Sequence, residues 1–237
     1  MGRNNWFEFK QFRIEQHKSA MRVGTDGVLL GAWAPIGNAS RILDVGSGTG
    51  LVALMLAQRS DAVIDAVEID CPAYEEAKFN FEQSGWNDRL NAINEDFHLF
   101  SGLTHETYDL IVSNPPFFIN SLKTKNEALS VARHNDMLTF GQLISGARKL
   151  LNPCGRLCLI IPFTSNVEFR ESARLAGFYL RQQLSIFPKA GRAPKRILLE
   201  FSLEPGYPLE NELIVLDQSG LYTSNYKLLT SPFYLAF

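Results

Sequence analysis

The sequence Asn114-Pro115-Pro116-Phe117 contains the residue types that could activate a weakly nucleophilic nitrogen. An amino group on an aromatic base, like an amide nitrogen, has a delocalised lone pair. The Asn114 side-chain oxygen and the Pro115 carbonyl could each accept one of its N–H bonds and localise that lone pair. Two prolines would hold these acceptors rigidly, and Phe117 could stack on a base. We therefore predict that Asn114, Pro115, Pro116 and Phe117 are catalytic; the alternative is a proline-rich turn followed by a core phenylalanine.

A glycine-rich turn, D-V-G-S-G-T-G at residues 44–50, follows the first predicted strand of the sheet. Its glycines permit a tight turn and a close approach of a ligand to the backbone. The spacing differs from the G-x-G-x-x-G of proteins that place a dinucleotide pyrophosphate at a helix N-terminus. Glu68 ends the second strand, where a carboxylate can accept both ribose hydroxyls of an adenosine, and Asp96 follows the third, where it could accept from an adenine amino group. The turn alone would also fit a dehydrogenase or a structural turn, and such carboxylates are often only solvated.

The elements that must position these residues alternate between strand and helix from residue 41 onward. Strands are predicted at 41–45, 63–69, 89–95, 108–113 and 155–161, and helices at 50–59, 72–83, 136–151 and 165–176. Segments 178–187 and 196–203 have too short a connection for a crossover helix, so we expect an antiparallel hairpin. The fold class is thus expected to be α/β and Rossmann-like, with a mostly parallel seven-stranded sheet and a C-terminal antiparallel hairpin. The tail after Glu204 is predicted to add further strands, ending at Y-L-A-F.

Composition limits the class of protein further. With 237 residues, 46% hydrophobic and 20% charged, the chain is expected to form a single domain with an N-terminal segment (1–40), a core (41–204) and C-terminal strands (205–237). It has no apolar run of membrane-spanning length and no signal-peptide pattern, so we expect a cytoplasmic location and no membrane partner. Three cysteines cannot build a disulfide framework, and Cys154 and Cys158 lack further ligands, so we expect no metal. We also expect a monomer.

Two basic segments could bind a nucleic acid. The net charge of −2 means that phosphate contacts must come from a local basic surface. One candidate is the acid-free segment P-K-A-G-R-A-P-K-R, with Lys189, Arg192, Lys195 and Arg196. The other follows the N-P-P-F motif and contains Lys123, Lys125 and Arg133, in a segment that could act as a substrate lid. Ordinary solvated surface is the alternative for both.

The D-V-G-S-G-T-G and N-P-P-F motifs resemble the N-P-P-[YF] group of class I methyltransferases that act on planar nitrogen. The stretch F-E-F-K-Q-F-R-I-E-Q-H-K-S-A-M-R-V-G-T-D-G-V-L-L-G-A-W-A and the terminal S-P-F-Y-L-A-F are similar to the bacterial tRNA(Val) adenine-N6 methyltransferase family. This similarity extends over essentially the whole chain. The resemblance implies the class I methyltransferase fold, S-adenosyl-L-methionine as methyl donor, tRNA as partner, and methylation of the N6 amino group of the adenine next to the anticodon.

The resemblance also implies which residues bind the donor and the adenine. Asn114 to Phe117 would hold the adenine, although many relatives have tyrosine in place of Phe117. Thr25 and Asp26 match a family element placed over the donor, and a helix cap is their alternative. The predicted donor-binding residues are Thr25, Asp26, Asp44, Gly46, Gly48, Gly50, Glu68, Asp96 and Asn114.

Two other functions fit part of this pattern. A protein-glutamine methyltransferase has the same N-P-P-[YF] motif and needs the same hydrogen-bond acceptors, but it usually carries a separate helical recognition domain, which is not evident here. A non-catalytic RNA-binding module could retain a cofactor pocket, although Asp44, Glu68 and Asn114 are all intact.

Overall fold

A computed structural model describes residues 4–19, 21–115 and 138–236 of the chain. Pro116, Phe117, Lys123, Lys125 and Arg133 lie outside the described residues. The described helices are α1 (Thr25–Trp33), α2 (Leu51–Ala57), α3 (Cys71–Glu82), α4 (Phe97–Leu103), α5 (Phe140–Leu150), α6 (Asn166–Leu175) and α7 (Ser224–Thr230). None of these helices is long and apolar enough to cross a membrane.

The described strands form a small hairpin and one large sheet. The hairpin pairs β1 (Trp6–Glu8) with β2 (Arg13–Glu15). The large sheet contains β3 (Arg41–Val45), β4 (Val63–Glu68), β5 (Leu90–Asn94), β6 (Tyr108–Ser113), β7 (Leu151–Pro162), β8 (Tyr179–Lys189), β9 (Arg196–Ser202) and β10 (Leu209–Leu216). Its strand order is β10-β8-β9-β7-β6-β3-β4-β5.

The sheet is parallel except for β9, which runs antiparallel to both β7 and β8. The predicted mostly parallel sheet with an antiparallel C-terminal hairpin is therefore confirmed. The tail adds β10 as an eighth strand, parallel to β8 at the sheet edge. Beyond β10, the prediction of strands through Y-L-A-F is wrong, because the chain forms α7 there. The hydroxyl of Thr223 caps that helix by accepting a hydrogen bond from the Tyr226 N–H.

Two hydrophobic layers cover the sheet. Alternate strand residues face opposite layers: Ile42 and Leu110 pack with α1, α2, α3 and α7, whereas Leu43 and Ile111 pack with α4, α5 and α6. The sequence patterns did not predict α1 or α4 as helices. Residues 27–32 of α1 are all buried, so α1 shows no amphipathic period, and α4 has only seven residues.

The two ends of the chain pack against each other. Phe9 stacks on Tyr234, with ring centroids 5.9 Å apart, and both aromatic rings also contact Phe7. The Lys10 N–H donates to the Phe233 carbonyl at 2.8 Å, and the Phe233 side chain is buried. The N-terminal hairpin is thereby fixed to the body of the protein, and it anchors the residues that lead into α1.

Candidate functional site

A cavity of about 660 Å³ opens at the carboxyl ends of β3, β4 and β6. Ligands of open α/β sheets bind at this edge, because the loops that leave parallel strands meet there. The structure brings most of the predicted donor-binding residues together in its wall. These are Thr25, Asp26, Asp44, Gly46, Gly48, Glu68, Asp96 and Asn114.

The glycine turn leaves open space on the cavity side. Gly46 and Gly48 have φ values of 70° and 56°, and a Cβ atom added to either residue would meet no atom within 4 Å. The turn is fixed by the Gly46 N–H, which donates to the Val67 carbonyl at 2.9 Å. Gly50 differs, since an added Cβ would lie 2.5 Å from the Phe81 ring and the residue does not line the cavity. Gly50 therefore serves the packing of α3 against the turn.

The Glu68 carboxylate holds this turn in place. One oxygen accepts from the Gly48 N–H at 2.8 Å, and the other accepts from the Asp70 N–H at 2.9 Å. Glu68 is only 9% exposed. Each carboxylate oxygen can accept a further hydrogen bond, so the contacts within the protein leave capacity for a ligand.

Asp44 is a buried carboxyl group at the end of β3. It accepts a hydrogen bond from the Ala53 N–H in the first turn of α2 at 3.1 Å. Burial raises the pKa of Asp44 to about 7; the Ala53 bond opposes this shift, and the charge of Glu68 adds to it. Asp44 thus titrates near neutral pH in the folded chain.

Two other predicted donor-binding residues, Asp96 and Asp26, have structural partners. Asp96 caps α4 by accepting from the Leu99 N–H at 3.0 Å, so it is not merely solvated. The alternative role of Thr25 or Asp26 as a helix cap is not observed: the N-cap of α1 is Gly24, without a side-chain cap bond. Asp26 instead accepts from the Arg196 Nε at 2.7 Å.

Asn114 follows the last residue of β6 and lines the cavity. Its side-chain Oδ1 is buried and accepts no hydrogen bond within the part of the chain that the structure describes. Buried polar atoms nearly always have a partner, so this oxygen is a candidate ligand contact. Gly27 of α1 also lines the cavity and lies close to Asn114. A Cβ atom added to Gly27 would be 3.0 Å from the Leu51 side chain and 3.9 Å from the Asn114 Nδ2.

The basic hairpin loop lies at the same sheet edge as Asn114. β8 runs parallel to β7, so the turn from β8 into β9 is at the carboxyl ends of the central strands. Arg192 and Lys195 are exposed in this loop, and Lys189 is half-buried at the end of β8. Arg196 differs from these three residues because it lines the cavity and pairs with Asp26.

The sequence patterns missed one wall of the cavity, which residues 19–24 supply through Ser19, Met21, Arg22 and Gly24. The buried Glu76 carboxylate holds the start of this segment by accepting from the backbone N–H groups of His17, Lys18 and Ser19. The only signal for this wall in the sequence is the family resemblance of E-Q-H-K-S-A-M-R-V-G, since the segment has no periodic pattern.

Asn80 connects the same segment to the glycine turn. Its side chain exchanges two hydrogen bonds with the backbone of Glu15, at 2.9 and 3.0 Å, and donates to the Thr49 carbonyl at 2.9 Å. Asn80 is buried. The N-terminal hairpin, α3 and the turn therefore form one connected wall.

This arrangement fits a nucleoside-containing methyl donor. Gly46 and Gly48, with open space beside them, Glu68, with unused acceptor capacity, and Asn114 all line one cavity. Among the described residues, no group of three or more His, Cys, Asp or Glu side chains could hold a metal ion.

Comparison with known proteins identifies the family. Residues 24–172 match the model of the methyltransferase small domain. Proteins named tRNA1(Val) (adenine(37)-N6)-methyltransferase are similar over almost the whole chain. The one from Bacteroides fragilis is 43% identical over 97% of this chain and 98% of its own length, and the one from Trichodesmium erythraeum is 43% identical over 98% and 99%.

Solved structures agree on the fold. A predicted O-methyltransferase from Agrobacterium tumefaciens superimposes with a TM-score of 0.68 at 20% identity, covering 88% of this chain and 96% of that one. A methyltransferase from Pyrococcus furiosus gives a TM-score of 0.52 at 22% identity, covering 69% and 75%. The chain belongs to the methyltransferase small domain family and, more narrowly, to the family of the tRNA1(Val) (adenine(37)-N6)-methyltransferases. The family and the class I methyltransferase fold predicted from the sequence are confirmed.

Proposed function

We propose that the chain transfers a methyl group from S-adenosyl-L-methionine to the N6 amino group of an adenine in tRNA, and that this base is adenine 37 of tRNA1(Val). The observation that carries the proposal is the buried Oδ1 of Asn114, which directly follows β6 and has no hydrogen-bond partner among the described residues. Relatives that share 40 to 44% of their residues with this chain are named for that reaction. The same oxygen suits an amino group that must be oriented before it can react.

The residues of the cavity wall support binding of the donor. In this proposal Glu68 accepts hydrogen bonds from the ribose hydroxyls, and Asp96 accepts one from the adenine amino group. Both carboxylates have acceptor capacity beyond their backbone contacts, which supports these roles. Gly46 and Gly48 give the ligand access to the backbone. S-adenosylmethionine supplies a methyl group on a positively charged sulfur, which permits direct displacement by a nitrogen nucleophile. The acidic wall favours such a cation.

Asn114 and Pro115 act on the methyl acceptor. The Asn114 Oδ1 and the Pro115 carbonyl each accept one N–H of the adenine amino group, which localises the nitrogen lone pair and directs it into the cavity. Both residues directly follow β6, whose last residue, Ser113, donates from its hydroxyl to the Val45 carbonyl at 2.8 Å. The role of Pro116 and Phe117 in holding the base is a prediction from sequence.

The hairpin loop supplies phosphate contacts for RNA. Arg192 and Lys195 are exposed beside the cavity edge, and Lys189 begins the turn. A base that must leave its stack to be methylated needs such anchoring of the flanking backbone. Lys123, Lys125 and Arg133 are proposed to add contacts from the segment after N-P-P-F. Arg196 is proposed to act mainly through its ion pair with Asp26.

The reaction is tested with purified protein, methyl-labelled donor and unmodified tRNA1(Val) transcript. We expect N6-methyladenosine after digestion to nucleosides, and none from a transcript with guanine at nucleotide 37. Label at another nucleotide would overturn the choice of base. Label in glutamine of a protein substrate, with none in tRNA, would support the protein-glutamine methyltransferase instead.

A further inference from the structure

The wall of the donor cavity is strongly acidic. Its carboxylates come from Asp26, Asp44, Glu68, Asp70, Glu95 and Asp96, whereas its cations within the described residues are Arg22 and Arg196. This charge suits the sulfonium and ammonium groups of S-adenosylmethionine. It opposes the carboxylate of the methionine moiety, because like charges at close range repel strongly where water is excluded. A cation in this wall would therefore favour binding of the donor's carboxylate.

Arg196 is already engaged. Its Nε donates to Asp26 at 2.7 Å, and its Nη1 donates to the Lys195 carbonyl at 3.1 Å. Releasing Arg196 for a ligand would leave the Asp26 carboxylate without this partner beside the other acidic groups. Arg196 is thus a poor candidate for the carboxylate contact.

Arg22 has the donors that such a contact requires. Its Nη1 donates to the Asn4 carbonyl at 3.3 Å, and it forms no ion pair with a carboxylate of the residues that the structure describes. A guanidinium has five N–H donors in a planar fork, and two of them can bind both oxygens of one carboxylate.

The backbone around Arg22 is held in place before any ligand binds. The next residue, Val23, donates its N–H to the Gln16 Oε1 at 2.8 Å, and Gln16 is only 6% exposed. On the other side, the Ser19 hydroxyl donates to the Met21 carbonyl at 2.9 Å. Because these contacts fix the backbone on both sides, the exposed Arg22 side chain extends from an ordered part of the cavity wall, which lowers the cost of ordering the backbone when a ligand binds.

We infer that Arg22 binds the carboxylate of the donor's methionine moiety and so positions the donor in the acidic cavity. The inference rests on the proposed function, since it concerns the same donor. It assigns a role to the N-terminal segment, which adds a cation to a wall whose other described cation, Arg196, already pairs with Asp26.

Two ligands that differ only in this carboxylate test the inference by calorimetry: S-adenosylhomocysteine and its decarboxylated analogue, S-adenosylthiopropylamine. We expect the unmodified protein to bind S-adenosylhomocysteine about tenfold or more tightly than the analogue, as for hydrogen bonds to a charged group. Arg22→Gln should lose that preference and keep its affinity for the analogue. Arg22→Lys should keep part of the preference, because the charge remains and the fork is lost.

Arg13→Gln is the matched control, since Arg13 is an exposed arginine of the same N-terminal segment that does not line the cavity. It should retain the full preference. The inference is overturned if Arg22→Gln keeps the preference for S-adenosylhomocysteine, or if only Arg196→Gln loses that preference. It is also overturned if Arg22→Gln weakens the binding of both ligands equally, because Arg22 would then have a structural role. A protein that binds neither ligand would instead contradict the proposed function itself, and the inference with it.

Discussion

The Asp26 carboxylate and the Arg196 guanidinium, 170 residues apart in the chain, form an ion pair of 2.7 Å that joins the first turn of α1 to the start of β9. Both residues line the donor cavity, and Arg196 also ends the basic hairpin loop. The structure thus separates two parts of one basic sequence, P-K-A-G-R-A-P-K-R. The loop tip, with Arg192 and Lys195, is exposed, whereas Arg196 at the loop base lines the cavity.

This separation predicts different effects for the tip and the base of the loop. Changing Arg192 and Lys195 together to alanine should weaken tRNA binding and lower its salt dependence by a slope of roughly 0.7 to 0.9 per lost phosphate contact, with donor affinity unchanged. Arg196→Ala should weaken donor binding as well, because Asp26 loses its partner. The pair is about one-third exposed, so a loss within about tenfold is expected. Equal salt slopes before and after the double change would show that the tip contacts no phosphate.

Glu68 is expected to affect donor binding through the ribose hydroxyls. Glu68→Gln should weaken S-adenosylmethionine binding by about 1.5 to 3 kcal/mol, the range for hydrogen bonds to a charged group. The amide cannot accept at both of the positions that Gly48 and Asp70 now contact. Calorimetry gives the affinity, and thermal unfolding without donor reports any loss of the turn. Glu95→Gln, in the same wall, is the control. A Glu68 variant that unfolds at a lower temperature but binds S-adenosylmethionine equally well would show that Glu68 has only a structural role.

Asp44 should make stability depend on pH. Its folded-state pKa is about 7, above that of an unfolded aspartate, so the neutral form stabilises the fold and this contribution is lost as pH rises through about 7. Asp44→Asn keeps an oxygen for the Ala53 N–H and has no charge at any pH. The Tm of the variant minus that of the unmodified protein should therefore increase between about pH 5.5 and about pH 8, measured without donor. A difference that stays constant or decreases would place the titration elsewhere.

Much of the site could be predicted because its residues are tied to regular local patterns. The bounds of β3 and β6 are those predicted, and these strands place the glycine turn and Asn114 at one edge. The parallel order of the strands then brings Glu68 and Asp96 to the same cavity. Local pattern and topology are enough for this half of the wall.

The other half depends on contacts between distant residues, which single-sequence patterns do not contain. Ser19 and residues 21–24 lie at the cavity because Glu76 and Gln16 bind the backbone N–H groups of Ser19 and Val23. The pairing of Asp26 with Arg196 needs the complete sheet and α1 together. For Gly50, the local pattern was misleading. The residue has the spacing of a ligand-contacting glycine, yet the close approach of the Phe81 ring explains why glycine is required there.

The most direct test of the central claim is single-turnover methyl transfer by Asn114→Ala, with saturating S-adenosylmethionine and unmodified tRNA1(Val). If the Asn114 Oδ1 orients the adenine amino group, the rate of N6-methyladenosine formation should fall at least about a hundredfold while donor affinity changes little. Ser113→Ala, at the last residue of β6, removes only the hydrogen bond to the Val45 carbonyl. Its rate of N6-methyladenosine formation should fall much less. An Asn114→Ala protein that keeps more than about half of the unmodified rate would contradict the account.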